Sequence, residues 1–470
     1  MTTTLSALLR RGGTIHLMGI GGAGMAGLAL LLEARGARVS GCDHAESDAT
    51  RELSERGIEV RRGHDPAHVE GAEAVIHTVA VPAEHAELKA ARARGLPVLK
   101  RSEALAELVN SGKLVAVSGT HGKTTTTALT ALALQAAGFD PTALVGGRVS
   151  GWSGNALISG SDIFVVEADE YDRSFLTLWP TVAVVTSVEA EHLDTYESAE
   201  RMEDAFDEFV NRVPERGRVV ACVDDPGARA RLRVAGERGL AYGLGTEAEL
   251  RAERVAYDPE VTRFSVEWRR ESLGEFRLAL RGRHNVRNAL AALGVLIALE
   301  ADPRAASSAW AGFAGVDRRF QRLGEAAGIA VVDDYAHHPT EVLATLEAAR
   351  QVFPDRRIVA AFQPHLFSRT RAFADDFGRA LVAADLVLIT GIYPAREKPI
   401  PGVTGELVAD AARREVGGQR VRYAEGLDEL WSVARRELRA GDVFLTMGAG
   451  NIGEVAHRLF DELRRLHVGA

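Results

Sequence analysis

"VAVSGTHGKTTTT", residues 115–127, is an apolar run that breaks at a glycine, passes through one lysine and opens into four threonines. A buried strand, a tight turn and a helix follow one another here, the helix continuing through "ALTALALQAA" at 128–137. Backbone N–H groups of a glycine turn at a helix N-terminus form an anion site. Lys123 adds a point charge, and Thr124 stands where phosphate loops place a magnesium ligand. The common spacing G-x-x-x-x-G-K-[ST] calls for glycine at 117, yet the chain has Val117 and its first glycine is Gly119. Gly119, Thr120, His121, Gly122, Lys123, Thr124 and Thr125 are therefore read as a shortened phosphate loop. Lysine is scarce, with Lys89, Lys100, Lys113, Lys123 and Lys398 the full set, so one on this loop is informative. Threonines opening a helix are unfavourable on propensity and point to a use for their hydroxyls.

Two further apolar runs end in acids. "DIFVVEADE" leads to Glu167, Asp169, Glu170 and Asp172, and "VAVVTSVEAEH" to Glu189, Glu191, His192 and Asp194. In open α/β sheets ligands lie beyond the carboxyl ends of strands, so Glu167 shares an edge with Thr124 if their strands are neighbours. Carboxylates beside phosphates commonly hold Mg²⁺, whereas a histidine such as His192 is an unusual companion for it. Near the N-terminus Gly19, Gly21 and Gly24 fit G-x-G-x-x-G, with Asp43 about twenty residues on. That motif supplies a pyrophosphate cradle for NAD or for a nucleotide sugar; a dehydrogenase reading leaves the central segment without a role.

The chain of 470 residues reads as three α/β domains, 1–109, 110–316 and 317–470, each on a mainly parallel, Rossmann-like sheet. The central one is a P-loop ATPase-type fold with an antiparallel patch expected over about 217–282. Apolar content of 46% and charged content of 26% suit globular domains. A net charge of −9 offers no footprint for nucleic acid, and two cysteines, Cys42 and Cys222, fit a reducing cytoplasm rather than a disulfide framework. Residues 15–32 carry no charge, but their five glycines favour strand, turn and buried helix over a membrane span. In the last third, Arg318, Arg319, Asp333, Asp334, Tyr335, His337, His338, His365 and Arg369 cluster near strand ends, a set better suited to an anionic substrate than to a metal–histidine centre.

Seven motifs, "GIGGAGMAGLA", "GTHGKTTTT", "EADEYDRSFL", "HNVRNALAA", "DDYAHHPTE", "FQPHLFSRT" and "TMGAGNIG", resemble in content and order those of the Mur ligase family, over essentially the whole chain. The resemblance implies ATP-dependent amide formation: phosphorylation of the UDP-N-acetylmuramate carboxylate, then attack on the acyl phosphate by L-alanine. It further implies Lys123 on the β/γ-phosphates, Thr124 and Glu167 on Mg²⁺, and His192 at a second metal. Asn285 and Asn288 are placed on the adenine side, and Arg319 and Asp334 on the nucleotide. Tyr335, His337, His365 and Arg369 line the acyl-phosphate and amino-acid pocket, and Gly21, Gly22 and Asp43 hold the UDP part. Leu366 departs from the arginine many relatives carry, leaving the amino-acid carboxylate to Arg369. No lysine lies between Lys123 and Lys398, which removes the sister enzymes that carbamylate one beside the second metal. A recycling ligase that attaches a tripeptide to the same nucleotide sugar is the alternative. Catalysis is expected to require closure of the third domain onto ATP. The protein is expected to be a cytoplasmic monomer or weak homodimer, without nucleic-acid or membrane partners.

Overall fold

The computed structural model describes residues 5–189, 193–196, 198–257, 261–395 and 397–468. The chain forms two compact units, Met1–Ala256 with Arg263–Ala279 and Asn285–Ala314, and Tyr257–Thr262 with Leu280–His284 and Gly315–Ala470.

The first unit carries two sheets. One is built from β1 (Thr14–Met18), β2 (Arg38–Asp43), β3 (Glu59–Arg62), β4 (Ala74–His77) and β5 (Val98–Lys100) in the order β3-β2-β1-β4-β5, parallel throughout. The uncharged 15–32 stretch resolves into β1 and the Ala23–Ala34 helix. Among the described residues no helix is long and apolar enough to cross a membrane.

The second sheet has ten strands: β6 (Lys113–Ser118), β7 (Thr142–Leu144), β8 (Ala156–Leu157), β9 (Ile163–Glu167), β10 (Val182–Val185), β11 (Arg218–Cys222), β12 (Gly239–Gly243), β13 (Leu250–Tyr257), β14 (Thr262–Trp268) and β15 (Glu271–Leu278). Parallel pairing puts β6 between β10 and β9, with Ser118 opposite Val185 and Val117 opposite Glu167. This register brings the phosphate loop and both acidic segments to one edge. The antiparallel patch is smaller than the sequence suggests. Strands β10, β11 and β12 pair in parallel, and so does the start of β13; the Ala199–Asn211 helix lies in the β10–β11 crossover and the Pro226–Ala235 helix in the β11–β12 one. Within that segment chain reversal comes after the start of β13, where Arg269 and Arg270, at φ 49° and 72°, form the two-residue turn of a β14–β15 hairpin; at the opposite edge of the sheet β7 and β8 pair antiparallel.

The second unit holds β16 (Gln321–Ala326), β17 (Ile329–Asp334), β18 (Ile358–Phe362), β19 (Leu386–Thr390), β20 (Val421–Ala424) and β21 (Val443–Met447), ordered β16-β17-β21-β18-β19-β20. Only the β16–β17 pair is antiparallel among them. Alternate residues serve two cores: Ala330, Val332, Ala360 and Leu445 on one face, Val331, Val359, Ala361 and Phe444 on the other. Continuous apolar runs are what a sheet buried on both faces demands.

Trp310 anchors the central sheet's helices. It is fully buried, its indole N–H donates to the Leu129 carbonyl at 3.0 Å, and its ring meets Phe276 of the hairpin at 6.3 Å. Trp310→Ala should lower the stability of the first unit by about 3–5 kcal/mol, through lost burial and a cavity. A urea titration followed by circular dichroism should show the first unfolding transition moving to lower denaturant.

Candidate functional site

The phosphate loop is held by its neighbours rather than by itself. Gly119 has φ +130°, and a β-carbon there would sit 2.2 Å from Thr186 Oγ1 and 2.8 Å from the Ser187 nitrogen. The Thr120 N–H donates to the Ser187 carbonyl and the His121 N–H to Ser187 Oγ, both at 3.0 Å. Thr186 Oγ1 donates to the His121 carbonyl at 2.5 Å. Gly122, at φ +81°, precedes the Lys123–Ala136 helix, and no side chain caps that helix. Its first-turn N–H groups therefore point outward as an anion cradle.

Lys123 folds back over this cradle. Its Nζ donates to the Gly119 carbonyl at 2.7 Å and pairs with the fully buried Glu170 at 2.8 Å. Tyr196 Oη donates to the Glu170 carbonyl at 2.5 Å, and burial pushes the Tyr196 phenol well up. Thr124 Oγ1 donates to Glu167 Oε1 at 2.9 Å, and the other Glu167 oxygen accepts the Gly146 N–H at 2.5 Å. Two hard oxygen donors thus adjoin at the mouth of the loop. Glu167 also borders a cleft of about 330 Å³, whose other walls include Gly22, Gly24, Thr78, Arg101 and Asn155. His121 reaches Glu189 at 3.4 Å.

Asn285 and Asn288 bond to each other at 3.0 Å. The carboxamide oxygen of Asn288 lies 2.5 Å from where a Gly122 β-carbon would be, so this residue meets the loop itself. His192 and Glu191 lie outside the described residues. At the first sheet, Gly19 has φ +77°, the Gly21 N–H donates to Asp43 Oδ2 at 2.9 Å, and Gly22 precedes the Ala23–Ala34 helix.

The second unit assembles its own polar group. Tyr335 lies under both arginines, with Arg318 and Arg319 Cζ at 5.1 and 5.0 Å from its ring centre. Asp334 accepts from the Phe320 and Ala336 N–H groups at 2.6 and 2.7 Å. His337 Nδ1 donates to the Tyr335 carbonyl at 2.9 Å and faces Glu341 at 3.2 Å. Arg369, buried, donates to His365 Nδ1 at 3.1 Å, so the His365 proton resides on Nε2. His337 and His365 stand edge to face at 5.7 Å, and His365 stacks on Tyr393 at 5.8 Å. Leu366 adopts φ +67° and begins the Phe367–Leu381 helix.

Sequence reading missed four participants. Glu170 was visible as an acid, but its role as the partner of Lys123 links residues 47 apart. Ser187 and Gly146, which hold the loop and Glu167, carried no signal. Glu341, four residues after His337, was readable from helical spacing.

The chain belongs to the Mur ligase family. Family models for the Mur ligase catalytic domain, the Mur ligase middle domain and the Mur ligase glutamate ligase domain match residues 14–113, 117–296 and 318–450. Within that family it is similar to the UDP-N-acetylmuramate–L-alanine ligase of Nitratidesulfovibrio vulgaris strain DP4, at 44% identity over 95% of this chain and 98% of that protein. The enzyme of the same name from Kineococcus radiotolerans is 47% identical over 96% of each chain. The crystal structure of a UDP-N-acetylmuramate-alanine ligase from Thermotoga maritima superposes with TM-score 0.82 at 29% identity, covering 96% of this chain and 99% of that one. A murein peptide ligase from Psychrobacter arcticus gives 0.69 at 25%, covering 96% and 99%.

Burial pushes the Asp334 carboxyl from 3.8 up to about 6, against the opposing pull of Arg319 and two backbone N–H groups. The native state therefore holds a proton that the unfolded chain releases earlier. Stability should fall as pH rises from about 4 to about 6, by roughly 3 kcal/mol from this group. Asp334→Asn should flatten that slope in urea titrations run across the same window; an unchanged slope would assign the dependence elsewhere.

Proposed function

We propose that this chain joins L-alanine to the lactyl carboxylate of UDP-N-acetylmuramate with ATP, forming an amide in peptidoglycan precursor synthesis. Support comes from the 44–47% identity to L-alanine ligases over nearly the whole chain. A carboxylate is a poor acyl donor until one oxygen becomes a leaving group. Transfer of the γ-phosphoryl group to that oxygen gives an acyl phosphate and ADP. The alanine amine then attacks the carbonyl carbon, and the tetrahedral adduct collapses by breaking the C–O bond to phosphate, leaving the amide.

Phosphoryl transfer between anions depends on positioning and charge neutralisation. Lys123 and the outward N–H groups of its helix bind the β- and γ-phosphates. Thr124 Oγ1 and Glu167 Oε1, 2.9 Å apart, form the oxygen donor set that suits Mg²⁺. With His192 as a further ligand position, these residues would hold the ion, which supplies charge neutralisation on the phosphates when bound. Glu170 pairs with the Lys123 ammonium and aims it over the loop. The cleft beside Gly22 and Glu167 receives the reacting end of the nucleotide sugar, and Asp43 fixes the Gly21 turn beneath its diphosphate. Asn285 and Asn288 serve the nucleotide from the loop side. Arg319 and Asp334 serve it from the second unit, whose Tyr335, His337, His365 and Arg369 take the amino acid and the acyl phosphate. We place the activity in the cytoplasm, in a monomer or weak homodimer.

Phosphate release from ATP and Mg²⁺ with UDP-N-acetylmuramate should require L-alanine and not occur with L-Ala-γ-D-Glu-meso-diaminopimelate in its place. Release only with that tripeptide would instead make the chain a recycling ligase. Lys123→Ala should reduce kcat by about 100- to 1,000-fold, the effect of deleting one preorganised charge donor.

A further inference from the structure

A second cluster of ligating side chains lies in the first sheet and has no part in the ligase chemistry. His16 on β1, Cys42 at the end of β2, His68 and Glu87 come from four separate elements, and their donor atoms all lie within 4.8 Å of one another. His16, Cys42 and Glu87 are fully buried. Glu87 accepts from His68 Nδ1 at 2.8 Å, His64 Nδ1 at 3.0 Å and the Asp65 N–H at 3.0 Å, while Cys42 Sγ lies 3.5 Å from it.

His16 supplies the second observation. Its Nδ1 is engaged with Ser40 Oγ at 3.1 Å, whereas its buried Nε2 has no hydrogen-bond partner. A buried imidazole nitrogen left in that condition is costly unless something else takes its lone pair. Ser40 Oγ can accept the Nδ1–H proton, and in that tautomer Nε2 is the ligating atom with the usual outer support of a metal-bound histidine.

We propose that His16 Nε2, Cys42 Sγ, His68 and the Glu87 carboxylate bind one zinc-class divalent cation that braces the first sheet. Two imidazoles, a thiol and a carboxylate form a closed four-donor set, and sulfur with nitrogen selects Zn²⁺ or Co²⁺ over Mg²⁺. Binding releases the Cys42 thiol proton, and the His68 proton that now faces Glu87 moves from Nδ1 to Nε2, so that Nδ1 ligates and the cation takes the place of both protons. His64 and His85 share the other Glu87 oxygen and remain its outer partners, His64 Nδ1 also lying 3.2 Å from Cys42 Sγ. Cys42 directly precedes Asp43, so the cation would also steady the carboxylate that accepts the Gly21 N–H.

The test uses the untagged full chain, stripped with EDTA and titrated with Co²⁺. One equivalent should produce a thiolate-to-cobalt charge-transfer band that Zn²⁺ abolishes, and Zn²⁺ but not Mg²⁺ should raise the thermal midpoint. Cys42→Ser should lose the band, and both Cys42→Ser and His16→Gln should weaken Zn²⁺ binding at least ~10- to 100-fold, the loss expected even for an outer partner. Cys222→Ser, which removes the other cysteine, should keep the band. If Cys42→Ser fails to fold, the Cys222→Ser titration still decides, since a retained band can come only from Cys42. No band in the folded wild-type chain, or a band lost with Cys222, would overturn the site.

Discussion

Backbone at residue 119 passes so close to the end of the neighbouring strand that no β-carbon fits between them. Thr186 Oγ1 and the Ser187 backbone fill the space on that side. Three hydrogen bonds then fasten the loop to the segment after β10, through the Thr120 N–H, the His121 N–H and the His121 carbonyl. Because these bonds consume the early groups of the loop, the N–H groups of the following helix turn are left to face outward. The direction of the Lys123–Ala136 helix, the reach of Lys123 and the meeting of Thr124 with Glu167 all follow from that contact. An anion arriving there finds its donors already oriented, which is where electrostatic catalysis gains most.

The second unit shows the same economy with backbone strain. Arg318, Phe320 and Leu366 are non-glycine residues at φ 58°, 48° and 67°. Each is held by a specific bond: the Arg318 carbonyl accepts the Tyr335 N–H at 2.6 Å, the Phe320 N–H donates to Asp334, and the Leu366 N–H donates to the Tyr393 carbonyl at 3.0 Å. Such conformations persist only where the surroundings over-determine them. Here they surround the arginines, Tyr335 and His365, so the strain sets where those side chains point. Leu366 in this light is a pivot: its carbonyl accepts from both the N–H and the hydroxyl of Thr370, launching the helix that carries Arg369.

The strand–glycine–helix order around Gly119 was legible because the apolar run and the turn chemistry agree within thirteen residues. The acids after β9 were legible for the same reason, since a buried parallel strand reads as a continuous apolar run ending in polar residues. What the sequence concealed is long-range. Parallel pairing of β11 and β12 leaves no local mark that separates it from a hairpin, so the antiparallel patch was drawn too large. Glu170 looks like its neighbours Glu167 and Asp169 until the chain brings Lys123 to it. His16, Cys42, His68 and Glu87 obey no common period, and only the topology of the first sheet gathers them.

Adjacent residues Asp333 and Asp334 show how one strand gives two acids different duties. Alternation along β17 sends them to opposite faces of a sheet buried on both sides. Asp333, fully buried, accepts from Thr446 Oγ1 at 2.6 Å and pairs with Arg318 Nε at 3.2 Å, so its charge is neutralised within the fold. It also lies 2.7 Å from where a β-carbon on Gly453 would stand, which fixes glycine at the start of the last helix. Asp334 on the other face meets two backbone N–H groups and the Thr345 hydroxyl, and these N–H groups together with the charge of Arg319 favour its anion. Burial outweighs those donors, and its carboxyl is raised to about 6. A buried acid is tolerated when a cation neutralises it, as Lys123 does for Glu170, and otherwise its carboxyl is raised. Arg319, the largest charge acting on Asp334, opposes that rise, so removing its charge would push the carboxyl further up and added positive charge would bring it down.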